Sequence, residues 1–414
     1  MQFKTGKALA AAVLVGSFVA AVLPSMSNAG ASTPTVSAAT FNKNFTTMTY
    51  LKAIAAQGSG KIALILPDTT SSARYVDFDA PMMKEALTMA GLSSSDYIIQ
   101  NGDGSDNTFY TDAVGDVANG VKVLIIDPED STTGEIVEAY AASHGVKVID
   151  YDRLTLGGQR SYYVSFNNVT VGTQLGDGLT ACLTAWKVKK PHVFVMYGSP
   201  TDNNATLFGQ GYNAVLKAAG FAPGEGAKGS KNTTNESVGT WTPSQALTDF
   251  EGAYTADSKI NAVLTPNDEN AAPIITYLQS KGLKPDKIPF TGQDATPAGF
   301  QNIISGYQCG TVYKPIYEEA QAAAALALYL RAGVTPPAGL VNAKVTDPSA
   351  TINQFKTIPS VLETSVWVTA SQIESTIIAQ HWLAASAICT KTAPSVSGAK
   401  QPTYAKDCAK YGIK

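Results

Sequence analysis

Charge is scarce in this chain, and none of it is concentrated. Only 15% of the 414 residues are Asp, Glu, Lys or Arg, with a net charge of −3. No Lys/Arg-rich tract occurs, so a nucleic-acid partner is not expected. Cysteine is limited to Cys182, Cys309, Cys389 and Cys408, without a CxxC spacing, and histidine to the distant His144, His192 and His381. Neither set matches a metal motif, so no metal site is expected. There is no GxxxxGK[ST] phosphate loop and no GxSxG nucleophile elbow. Gly224–Gly229 satisfies GxGxxG, but it trails a helical pattern and enters a polar loop, whereas a dinucleotide fingerprint follows a strand and opens a helix. Asn101-Gly-Asp-Gly-Ser-Asp106 has the composition of a calcium loop without its downstream glutamate, and reads as a turn between strand and helix. No cofactor is expected. Beyond the N-terminal segment no apolar run is long enough to cross a bilayer.

That N-terminal segment is itself informative. Lys4 and Lys7 precede the apolar run Ala8 to Leu23, and Ser27-Asn28-Ala29 supplies small residues for cleavage. The pattern predicts a secretory signal over residues 1–29 rather than a membrane span. Its removal takes the net charge to −5, since Lys4 and Lys7 are its only charged residues. No cysteine stands near the cleavage point to carry a lipid anchor, so a periplasmic or secreted protein is expected. An exported chain can oxidise its thiols. Cys389 and Cys408 close a short C-terminal loop suited to a disulfide, whereas Cys182, mid-helix, suits a buried thiol equally well.

Residues 30–58, rich in Ser, Thr and Ala, read as a flexible leader. Strand and helix patterns then alternate. The strand-like runs Lys61–Leu66, Tyr97–Gln100, Val121–Asp127 and Val146–Asp152 are separated by helical patterns. A second series starts near Tyr162, with strands at His192–Tyr197, Asn261–Thr265 and Ile288–Gly292. Two such sets predict an α/β protein of two doubly wound parallel-sheet lobes, each with its own core. The extended segments Gly310–Tyr313 and Val361–Val368, flanking the Ala-rich helix Ile316–Ala332, imply repeated crossing between lobes. Phe221–Gly239 reads as a surface loop.

Ligands of open α/β sheets bind beyond the carboxyl ends of the strands. The first strand runs into Leu66-Pro-Asp-Thr-Thr-Ser-Ser-Ala-Arg-Tyr75, which places Arg74 and Tyr75 at such an end. Others end in Asp127-Pro-Glu-Asp, Asp150-Tyr-Asp-Arg-Leu, Gly198-Ser-Pro-Thr-Asp-Asn-Asn204, Pro266-Asn-Asp268 and Gly292-Gln-Asp294. Each could merely cap the next helix. Together, facing one cleft from both lobes, they form a set of carboxylates, carboxamides and arginines suited to hydroxyl groups.

These motifs, with "YYVSFNN" and "GTVYKPIYEEA", resemble the periplasmic sugar-binding proteins of ABC importers, and most of all their D-xylose-binding branch. The resemblance runs in order from Lys61 to the C-terminal tail. It implies the type I periplasmic-binding fold, two Rossmann-like lobes joined by three crossovers that close over a sugar. The lobes would comprise residues 59–163 with 312–362, and residues 164–311 with 363–414. Carried over by position, the sugar site would use Arg74, Asp152 and Arg153 from the first lobe. The second would supply Asp202, Asn204, Trp241, Asn267 and Asp294, with Lys314 at the hinge and Trp241 as the stacking ring. Tyr75 stands where xylose binders can have tryptophan, and Asn167 where an aspartate is common.

Chemistry agrees with that set. Carboxylates paired with cations meet the donating and accepting hydroxyls of a neutral aldose with strong, directed bonds, and aromatic rings cover its C–H faces. Asp152, Asp202 and Asp294 against Arg74, Arg153 and Lys314 balance three to three, which suits a neutral ligand. The sequence therefore predicts a monomeric, non-enzymatic solute-binding protein that hands an aldopentose such as D-xylose to an ABC permease. The alternatives are a ligand protein for a chemoreceptor, a transcription regulator of the same fold, or a secreted carbohydrate-active enzyme. The regulator would need a helix-turn-helix where the signal lies, and the enzyme a free pair of carboxylates across a scissile bond.

Overall fold

The computed structural model describes residues 35–221, 233–236, 239–390 and 404–414. The expected signal segment and the Gly224–Gly229 motif lie outside them. Among the described residues no helix is long and apolar enough to cross a membrane.

Helices separate the successive strands β1 (Lys61–Leu66), β2 (Tyr97–Asn101), β3 (Val121–Ile126) and β4 (Lys147–Tyr151) of one sheet, and β5 (Tyr162–Phe166) follows β4 without one. Covered on both sides, β1 from Ile62 and β3 from Val123 are continuous apolar runs rather than alternating ones. The next three, β6 (His192–Val195), β7 (Thr233–Glu236) and β8 (Ala262–Leu264), form a second, parallel sheet in the order β7-β6-β8. Late in the chain come β9 (Thr311–Tyr313), β10 (Ala343–Thr346), β11 (Thr357–Glu363) and β12 (Val366–Val368). The first sheet has the order β10-β11-β5-β4-β3-β1-β2, parallel throughout except for the edge strand β10. The order turns at β1, which lies between β2 and β3, so the loops leaving β1 and β3 diverge there and open a crevice. β12 pairs antiparallel with β9. Two lobes result, joined by the chain after β5, between β9 and the helix Ile316–Ala332, and between β11 and β12.

Five local expectations are corrected. Residues 36–57 are not a loose leader: they form the short helices Ala38–Thr40, Thr46–Leu51 and Lys52–Gln57. Phe41, Phe45, Met48, Leu51 and Ala55, spaced to share a face, are buried in one core with Ala320–Leu328. The abundant small polar residues around them masked that spacing. Tyr162–Phe166 belongs to the first sheet, between β4 and β11, so the second series begins only at the helix Asn168–Ala185. Ile288–Gly292 is not a strand but contributes a single bridge, Phe290 to Val263. Val361–Val368 is two strands in different sheets, and within the Phe221–Gly239 loop Thr233–Glu236 forms β7.

All four cysteines are paired, Cys182 with Cys309 and Cys389 with Cys408. The first bridge fastens the helix Asn168–Ala185 to the chain just before β9. The second fastens the helix Ala385–Cys389 to the C-terminal helix Tyr404–Tyr411.

Where β11 leaves the first lobe, Glu363 is buried at its end. Burial and then the neighbouring Glu318 push its carboxyl up from 4.5 to about 8. Folded, it stays protonated up to about pH 8; unfolded, it ionises near its ordinary value. Its contribution is thus complete below the unfolded pKa and lost as pH rises through the folded one. The melting temperature is expected to fall from pH 6 to pH 9, and Glu363→Gln to flatten that fall. Parallel melting profiles for the two proteins would refute the assignment.

Candidate functional site

The segment after β1 turns because its side chains fold back on its backbone. The Asp68 carboxylate accepts the N–H groups of Thr70 and Ser71 and the hydroxyl of Ser71. The chain then enters a wide, π-helical turn, Tyr75–Asp79, that continues into the helix Ala80–Met89. Arg74 precedes that turn and is only 1% exposed. Its Nε and Nη2 donate to Asp79 at 2.9 and 2.7 Å, and Nη2 also to Glu319 at 2.8 Å. Nη1 remains for the cavity, 2.9 Å from Asp152 Oδ1. Tyr75 lies beside both arginines, its ring centre 5.4 Å from the Arg74 guanidinium carbon and 5.7 Å from that of Arg153. Its hydroxyl accepts a 3.0 Å bond from Arg153 Nη2.

Arg153, after β4, reaches Asp127 at 3.6 Å, Glu129 at 3.5 Å and, from the other lobe, Asp202 at 3.4 Å. Asp202 is both a cap and a site residue. One oxygen caps the helix Asn203–Ala218 through the Asn204 N–H, and the other accepts the Trp241 indole N–H at 3.0 Å. The indole fits because residue 198 is glycine: a Cβ there would come within 2.2 Å of its ring. Asn267 likewise caps the helix Asp268–Ser280 with its oxygen and donates its amide to Ser71 O across the cleft at 3.1 Å. Asn204 donates across the cleft to the Asp152 carbonyl at 2.9 Å. Lys314 lies between the lobes, 3.1 Å from Asp294 and 4.0 Å from Asp152.

Asp152 and Asp294 have left-handed backbones, φ 56° and 84°. Such conformations cost on the order of 1–3 kcal/mol each and persist where the surroundings hold them. Here they aim two carboxylates at one point from opposite lobes.

All ten expected residues border a single cavity of about 310 Å³, completed by Ser71, Ser72, Phe208 and Gln293. Phe208 lies four residues after Asn204 on one helix face, a spacing the sequence displays. Nothing local distinguishes Gln293 from an ordinary turn residue. Asn167 is not in the site; it is exposed and caps the helix Asn168–Ala185. Its neighbour Asn168 is buried and donates to Asn204 at 2.7 Å. Glu269, also unforeseen, accepts the Ala73 N–H across the cleft at 2.9 Å.

The expected three-to-three charge balance is corrected. Arg74, Arg153 and Lys314 contact seven carboxylates: Asp79, Asp127, Glu129, Asp152, Asp202, Asp294 and Glu319. Asp127 and Glu129 belong to the strand-end motif after β3, whereas Asp79 and Glu319 reach Arg74 from two helical segments that no strand-end motif marks. Burial pushes Asp127 and Glu319 well above the usual carboxylate range and Glu129 to about 7, so protonation relieves part of the excess. Burial would raise Asp152 too, but Arg74 and then Lys314 hold it below its ordinary value, so it faces the cavity ionised.

Four buried polar atoms bordering the cavity make no hydrogen bond within the protein: Arg74 Nη1, Asp152 Oδ1, Asp294 Oδ1 and Gln293 Oε1. Among the described residues no cluster of His, Cys, Asp and Glu could hold a metal.

A two-lobed α/β molecule with polar groups converging from both lobes on an enclosed cavity is built to hold a small polar solute. Residues 62–334 match the model of the periplasmic binding protein domain, and the chain belongs to that family. It is 34% identical to the D-xylose-binding periplasmic protein of Escherichia coli over 68% of this chain and 79% of that one. It is 31% identical to the multiple sugar-binding periplasmic receptor ChvE of Rhizobium radiobacter over 78% and 90% of the two chains. A carbohydrate-transporter solute-binding protein from Chloroflexus aurantiacus, solved with D-glucose, superposes with a TM-score of 0.67 at 25% identity, covering 79% of this chain and 97% of that one. The chain is a binding protein and not an enzyme.

Proposed function

We propose that this chain captures one neutral monosaccharide, an aldopentose such as D-xylose, in the cavity and delivers it from the periplasm to the permease of an ABC transporter. Four polar atoms that make no hydrogen bond within the protein, three of them held only by ion pairs, carry that reading. One donates and three accept, and a sugar hydroxyl does both. Carboxylates outnumber cations around them, which disfavours an anionic solute. Trp241 and Phe208 supply an aromatic wall for the C–H face of a sugar ring.

The relatives bear on the sugar in two ways. The xylose-binding name at 34% identity favours a pentose, while the multiple-sugar receptor at 31% favours wider selectivity. The residues that would engage the ring are Arg74, Asp152, Asp202, Trp241, Gln293 and Asp294. Tyr75 and Arg153 would brace them, and Asn204, Asn267 and Lys314 would join the lobes around the sugar.

Calorimetric titration of the mature protein with aldopentoses, aldohexoses and dicarboxylic acids tests the proposal. One-to-one binding is expected, with pentoses ahead of hexoses and no heat from the acids. Tight binding of an acid or an amino acid, with none of the sugars, would overturn it.

A further inference from the structure

The family match ends at residue 334, yet a residue almost fifty positions further on reaches the cavity wall from behind. Trp382 is 5% exposed and does not border the cavity. Its Nε1–H donates to the carbonyl of Ala295 at 3.0 Å. Its ring stacks on Phe78 at 3.9 Å with an interplanar angle of 21°, and Tyr313 meets it edge-on at 5.1 Å.

Both contacts lead to site residues. Ala295 follows Asp294, and both are left-handed, at φ 52° and 84°. Neither is glycine, so two adjacent residues occupy a conformation that L side chains disfavour and that external bonds must hold. The Asp294 N–H is held by Val312 O at 3.0 Å and the Ala295 N–H by Thr311 Oγ1 at 3.4 Å. The Ala295 carbonyl is held by the indole of Trp382. On the other side, Phe78 belongs to the turn Tyr75–Asp79, whose Asp79 grips two nitrogens of Arg74.

We propose that Trp382 is a positioning residue of the sugar site. By bonding Ala295 and stacking on Phe78 it sets the Asp294 carboxylate of one lobe against the Arg74 side of the other. The role needs a flat ring and an N–H donor together, and the Trp382 indole supplies both. The inference rests on the cavity being the sugar site.

The test is D-xylose and D-glucose titration of four proteins: wild type, Trp382→Phe, Asp294→Asn and the double variant. Trp382→Phe keeps a ring and loses the donor, and should weaken binding about tenfold, as loss of one buried hydrogen bond would. Placed on Asp294→Asn it should change affinity less than about twofold, because the group it orients is already impaired. Phe78→Leu keeps the indole bond and removes the stack. It should weaken binding about threefold, and it decides the matter should Trp382→Phe fail to fold. Wild-type affinity in Trp382→Phe and Phe78→Leu, or an equal loss with and without Asp294, would assign Trp382 to core packing alone. If the wild type binds neither sugar, the cavity assignment fails and this inference with it.

Discussion

Arg74→Ala is expected to abolish measurable sugar binding and to lower the unfolding free energy by about 3–5 kcal/mol, the cost of stripping one partner from a buried ion cluster. Among the described residues the guanidinium is the single cation in contact with Asp79 and Glu319, and it shares Asp152 with Lys314. Its removal leaves carboxylates fully enclosed with no positive charge at bonding distance from two of them. They would relieve the repulsion by taking up protons, Glu319 first, since burial already holds it well above the usual range. Proton uptake is easier at low pH, so the variant should lose more stability at pH 8 than at pH 5. Arg74→Lys should not restore binding, because a point charge cannot serve three carboxylates in fixed directions as the planar fork does. Urea denaturation at both pH values, with titration of D-xylose, measures both effects. A variant as stable as the wild type, or one that still binds, would remove Arg74 from the centre of the site.

Replacing Cys182 and Cys309 with serine should be the most damaging change outside the cavity. The bridge closes a loop of 127 residues. Constraining so long a loop is worth about 5 kcal/mol on the chain-entropy model, against about 3 kcal/mol for the 19-residue separation of Cys389 and Cys408. The Cys182/Cys309 double variant should therefore melt more than about 5 °C below the wild type, and further below it than the Cys389/Cys408 variant. None of these cysteines borders the cavity, so sugar affinity should survive at temperatures where the variants remain folded. Equal melting temperatures for the wild type and the Cys182/Cys309 variant would show that the closed loop stabilises nothing.

The site was legible in the sequence to the extent that it is built from strand ends. A parallel strand buried on both faces has to be an apolar run, so where Ile126 gives way to Asp127 or Tyr151 to Asp152 the sheet has ended and the cleft begins. Asp202 and Asn267 could be read either as caps or as site residues, and the structure makes them both, one atom for each task. Legibility failed where a residue's role depends on what folds behind it. Glu129 and Glu319 stand in motifs that do not show which arginine they serve, Asp79 stands in none, and Trp382 lies beyond any motif. The leader was misread for a different reason. Phe41, Phe45, Met48 and Leu51 have helical spacing, but the surrounding Ser and Thr lowered the apparent hydrophobicity of the whole stretch.

By itself the sequence determined the α/β class, the alternation into two lobes and the ten polar and aromatic residues that border the cavity. The class, the alternation and the strand-end residues follow from local rules, the strand period, the caps and the place in a βα unit where polar side chains can stand, whereas Trp241 and Lys314 were placed by the family resemblance. Only the tertiary structure decided which carboxylate faces which cation, that Cys182 meets Cys309, and that Asp152 and Asp294 aim at one point from opposite lobes. Those depend on contacts between different segments of the chain, up to 245 residues apart for Arg74 and Glu319, and no local pattern encodes the distance between them.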